Sequence, residues 1–86
     1  MNKICVFIPS LEYGGAERVA SYIANYLGDK NYEVTLFTTR KSEKEYILSD
    51  NVHRIISNNK NEIYRILKEL KPEIAIVVFA PQIISL

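Results

Sequence analysis

Residues 3–29 read K-I-C-V-F-I-P-S-L-E-Y-G-G-A-E-R-V-A-S-Y-I-A-N-Y-L-G-D, and their pattern decides the fold. Ile4 to Ile8 form a continuous apolar run, the signature of a central parallel strand covered on both faces. Pro9 ends the pairing of that strand, because proline has no N–H to donate. Ser10 to Gly15 is then a turn. Ala16, Val19, Ala20, Ile23, Ala24 and Leu27 follow at spacings of three and four, which predicts an amphipathic helix with a small-residue stripe. Gly28 stands where a helix C-terminal stop is expected. A strand feeding a helix through such a turn aims backbone N–H groups past the strand end. Peptide dipoles add partial positive charge there, so an anion, typically phosphate, is favoured.

The rest of the chain repeats the alternation. Glu33 to Thr38 (E-V-T-L-F-T) is a β-branched and aromatic run of strand length. Thr39 to Asn51 is polar and charged, a loop with one helical turn expected around Glu43 to Leu48. Val52 to Ile56 is a short third strand. Asn59 caps a second helix, with Glu62 three residues later in a capping-box-like pair. Ile63, Ile66, Leu67 and Leu70 form its apolar stripe, and Lys71 before Pro72 stops it. Ile74 to Phe79 is an apolar fourth strand.

This order predicts an α/β fold: a Rossmann-like parallel-sheet half-domain, strand order 3-2-1-4, with helices on both faces and right-handed crossovers. The direction of the third strand is open, since no long helix precedes it. The first and fourth strands flank the topological switch point, which places Pro9 to Gly15 beside Ala80 to Gln82 at the ligand crevice.

Length and composition narrow the class further. Eighty-six residues support a single domain, residues 1–86. One helix per crossover would leave part of the sheet uncovered, so the chain is expected to be a truncated piece of a larger protein. Eleven Lys and Arg face ten Asp and Glu, a net charge of +1 that gives no nucleic-acid footprint. Cys5, the one cysteine, reads as a buried strand residue and can form neither an internal disulfide nor a metal site. His53 reads as a strand-surface residue rather than a base. No signal-peptide pattern and no apolar run of the ~20 residues that span a bilayer is present, so a cytoplasmic location is expected.

The glycine turn fits neither G-x-G-x-x-G nor the P-loop, which needs a lysine followed by Ser or Thr. The second strand ends Thr38-Thr39-Arg40, with no acid to hold a ribose. Arg40 could meet a 2′-phosphate but reads better as a solvated loop residue. Taken alone, Gly14-Gly15 reads as a tight turn that glycine's φ freedom permits.

The surrounding string G-G-A-E-R-V, Gly14 to Val19, resembles the N-terminal signature of family-four GT-B glycosyltransferases. So do the E-V-T-L strand from Glu33 and the K-P-E-I-A-I-V-V stretch from Lys71 to Val78. The family's Gly-His before the second strand is replaced by Asn31-Tyr32, and asparagine tolerates the left-handed backbone a glycine would adopt.

The resemblance implies a retaining transfer of a sugar from a nucleotide-sugar donor to a glycan or lipid-linked acceptor. The N-terminal domain would shape the acceptor side, and a second, C-terminal Rossmann-like domain would hold the nucleotide. By motif, Gly14 and Gly15 would contact the donor diphosphate, with Arg18, Glu17 and Glu12 as phosphate or acceptor contacts. Glu17 could equally complement the helix dipole, and Arg18 could pair with a surface carboxylate. No catalytic residue, metal or cofactor is assigned, the nucleotide sugar being a substrate. The complete protein is expected in the cytoplasm, with a peripheral place at the inner face of a membrane left open, while the isolated chain is expected to be inactive. The alternative from another class is a small non-catalytic α/β module that binds phosphate or a partner. A nicotinamide-dependent protein is the third, disfavoured by the missing acid.

Overall fold

Two apolar strands start the assembly, because neither can leave its backbone groups unpaired in a core. In the computed structural model, which describes residues 2–78, β1 (Lys3–Phe7) pairs in parallel with β2 (Glu33–Thr38). β4 (Ile74–Val77) pairs with the other edge of β1, and β3 (Val52–Ile56) pairs with β2. All pairings are parallel, giving the expected order β3-β2-β1-β4 and settling the direction of the third strand. The helices α1 (Gly15–Asp29) and α2 (Lys60–Leu70) complete the element order of a Rossmann-like half-domain. The fourth strand stops at Val77, and the expected contribution of Ala80 to Gln82 lies outside the described residues.

The core sits between α1 and one face of the sheet. Ile4, Val6, Val34, Leu36 and Val52 from alternate strand positions meet Ala20 and Ala24 of the helix. The sequence stripe is rotated, however. Val19 is half exposed, while Ser21 and Gly28 are buried beside Ala20 and Ala24. The smallest side chains face the strands, so the helix comes close, and the Ser21 hydroxyl is satisfied by donating to the Arg18 carbonyl at 2.9 Å.

Gly28 is not the helix stop. It lies inside α1, where an added Cβ would sit 3.0 Å from Val52 Cγ2 and 3.3 Å from the Asn51 carbonyl oxygen. The chain leaves the helix at Asn31 instead, whose φ of 70° is the left-handed backbone anticipated for it.

The opposite face of the sheet carries Cys5, Thr35 and Phe37, all buried, and α2 lies toward it. Burial pushes the Cys5 thiol pKa up, as suits an inert core group. Asn59 caps α2 by accepting from the Asn61 and Glu62 N–H groups at 2.9 and 3.1 Å. The reciprocal half of the capping box is absent, since the Asn59 N–H donates to Ser57 Oγ instead. No residue of α2 is fully buried, and β4 is open on both faces at Ile74 and Val77. Among the described residues no helix is long and apolar enough to cross a membrane.

Gly28→Ala sets helix propensity against packing. Alanine gains about 1 kcal/mol in a helix interior, yet its methyl must displace Val52 or the Asn51 backbone. We expect a net loss of about 1 kcal/mol, read as a lower urea midpoint with an unchanged slope.

Candidate functional site

The glycine turn ends at the N-terminus of α1, beyond the carboxyl end of β1. Gly14 is the N-cap residue, with φ −179° and ψ 173°, an extended conformation open to any residue. No glycine has positive φ, so the expected tight turn made possible by glycine's φ freedom is not what the pair provides. An added Cβ on Gly15 would meet nothing within 4 Å. On Gly14 it would meet the mobile end of Glu17, Oε1 at 2.6 Å.

No side chain caps α1. The first intrahelical bond runs from the Arg18 N–H to the Gly14 carbonyl at 3.0 Å. The N–H groups of Gly15, Ala16 and Glu17 therefore have no intrahelical partner, as at any helix start. The turn offers backbone donors and a partial positive charge to an incoming group. Glu17 stands beside them, its carboxylate favourably placed at the positive end of the helix. An anion arriving at Gly14 has to displace that carboxylate.

Arg18 is exposed and, among the described residues, has no salt bridge. Glu12 is exposed too, and it is joined by an isolated antiparallel bridge to Glu45. Arg40 lies exposed past the end of β2, its N–H directed at the Pro9 carbonyl at 3.4 Å. His53 is exposed on β3, next to Glu33, Asn31 and Asn51 on the amino side of the sheet, away from the turn.

The residues that sequence reasoning missed lie in the 39–51 loop. No helical turn forms there. The segment folds back over the glycine turn, its Tyr46 N–H donating to the Leu11 carbonyl at 3.0 Å. The Tyr46 hydroxyl donates to the Gly14 carbonyl at 3.1 Å, and its ring lies 4.9 Å from that of Tyr13. Arg54 of β3 anchors the same loop through a fork: Nη2 and Nη1 reach Glu45 Oε2 and Oε1 at 2.8 and 3.1 Å. Its Nε and Nη2 also donate to Thr38 Oγ1. Asn25 of α1 holds the far half of the loop, donating to the Ile47 carbonyl and accepting from the Ser49 N–H at 2.7 Å. Each pairing spans nine or more residues of sequence, so no local pattern announces it.

Comparison with protein-family models, with curated proteins and with solved structures gave no match for this chain.

The Arg54 hydrogen bond holds the Glu45 carboxyl below the usual carboxylate range, against the opposing effect of burial. A depressed folded-state pKa contributes stability that is complete above the ordinary glutamate value of about 4.3. That contribution is lost as pH falls through the lower, folded-state value. Glu45→Gln is expected to cost about 2 kcal/mol at pH 7, between the values for exposed and buried pairs, and much less near pH 3. Urea titrations at the two pH values check this.

Proposed function

We propose that this chain is the N-terminal, acceptor-side part of a glycosyltransferase that moves a sugar from a nucleotide-sugar donor to a glycan or lipid-linked acceptor. One observation carries the proposal. Glycines stand at positions 14 and 15 although neither backbone φ nor packing around Gly15 calls for them. Their absent side chains leave an uncapped helix N-terminus approachable at the carboxyl end of the central strand, where open α/β sheets take ligands. The G-G-A-E-R string supplies the identity of the anion by resemblance, a donor diphosphate.

In the complete enzyme the Gly15, Ala16 and Glu17 N–H groups face the diphosphate across a cleft, and charge-assisted hydrogen bonds hold it. Glu17 gives way to the incoming phosphate, and the exposed Arg18 stands within the same helical turn to meet donor or acceptor charge. The nucleotide itself, and the groups that stabilise the departing diphosphate, belong to the second domain. Retention of anomeric configuration and a place at the inner face of a membrane come with the family reading alone.

The test uses the reading frame and one variant. A second Rossmann-like half with a paired-glutamate signature downstream of residue 86 is the expected finding. A stop codon directly after Leu86 would overturn the proposal in favour of a small non-catalytic module. In the complete protein Gly15→Ala should leave the fold as stable or more so, since its methyl meets no atom. It should weaken nucleotide-sugar binding about tenfold, because the added methyl hinders the close approach of the phosphate to backbone N–H groups that the substitution leaves in place. The purified 86-residue chain should show no sugar transfer; turnover by it alone would contradict the division of labour between the domains.

A further inference from the structure

A cavity of about 210 Å³ opens near the strand carboxyl ends, with Phe7, Pro9, Phe37, Ile63, Val77 and Val78 in its wall. Phe7, Phe37 and Val77 occupy the alternate strand positions that point away from Val6 and Leu36, so the cavity extends onto the face opposite the α1 core. The Phe7 and Phe37 rings stack with centroids 4.8 Å apart and planes 12° apart, which gives the cavity an aromatic wall.

Thr38, Thr39 and Ser57 are the hydroxyl residues along the cavity, and strand alternation turns the Thr38 side chain toward the α1 face. Each is already engaged within the fold. Thr38 Oγ1 accepts twice from Arg54, at 3.1 and 3.0 Å. Thr39 Oγ1 donates to the Pro9 carbonyl at 3.0 Å, and Ser57 Oγ accepts from the Asn59 N–H at 3.2 Å. A settled water needs two to four polar partners, and this wall has few to offer. A sugar or phosphate placed there would lose hydrogen bonds to water without recovering them. The space exceeds the ~150 Å³ cavity that is enough to take benzene in another protein.

We propose that this cavity is a binding site for an uncharged aromatic ring, held by stacking and apolar contact rather than by hydrogen bonds. Of the two stacked rings only Phe7 is partly exposed, and stacking on it favours a planar ring over a branched aliphatic group. The site is distinct from the α1 turn and does not depend on glycosyl transfer. The two succeed or fail separately, because they are read by different amides.

Benzene titrated into the ¹⁵N-labelled 86-residue chain is the direct test. Saturable shifts are expected at Phe7, Phe37, Ile63 and Val77, while glucose and inorganic phosphate leave these amides unmoved. Ile63→Trp and Val77→Phe each fill the space with a larger side chain and should weaken benzene binding at least about tenfold. Both positions are partly exposed, which leaves room for a fold-preserving rotamer, and far-ultraviolet circular dichroism confirms it. Absence of saturable shifts in the parent chain would overturn the proposal. So would unchanged affinity in either folded variant. Binding that appears only after removal of residues 79–86 would assign the cavity to the chain's own end and overturn it likewise.

Discussion

The close approach of α1 to the sheet is the constraint on which the rest of the structure depends. Ala20, Ala24 and Gly28 present almost no side chain to the strands, and Gly28 lies against Val52 and the Asn51 backbone. A helix rising about 1.5 Å per residue carries that contact some 20 Å along, to the N–H groups at Gly15. The placement of the candidate anion site is thus fixed at the far end of the helix, by steric limits on one methyl group. A larger residue at position 28 would push α1 away from β3 and tilt its N-terminus off the end of β1.

The 39–51 loop then uses the helix as its own anchor. Asn25 binds it at Ile47 and Ser49, Asp29 accepts from Ser49 Oγ and Asn51 Nδ2, and Tyr46 bonds the Gly14 carbonyl. Arg54 closes the arrangement from β3 through Glu45. These bonds change the electrostatics of the turn. Arg54 is fully committed and offers nothing to a ligand, whereas Arg18 and Arg40 remain exposed near the strand carboxyl ends. Glu17 partly offsets that positive balance at Gly14.

Strand order, and the direction of every strand but the third, were legible because uninterrupted apolar runs separated by helix-period segments admit few parallel arrangements; only the pairing with β2 settles β3. The cap at Asn59 and the left-handed Asn31 were legible too, since each follows from the chemistry of a single side chain. The rotation of α1 was not. A stripe built largely of alanine leaves the facing direction undecided, and only the sheet chooses Ser21 and Gly28 over Val19. The expected helical turn over Glu43 to Leu48 failed because Tyr46, Glu45 and Ser49 find long-range partners that outweigh local hydrogen bonding. Gly14 and Gly15 were singled out for a backbone freedom they do not use. Their open surroundings are visible only in three dimensions.

The central claim is that the uncapped start of α1 takes an anion. Titrating inorganic phosphate into the ¹⁵N-labelled chain, with amide shifts followed residue by residue, tests it most directly. Saturable shifts centred on Gly15, Ala16 and Glu17 are predicted, with smaller ones at Arg18. Shifts confined to the lysines of α2, or no saturable shift at the turn, would contradict it.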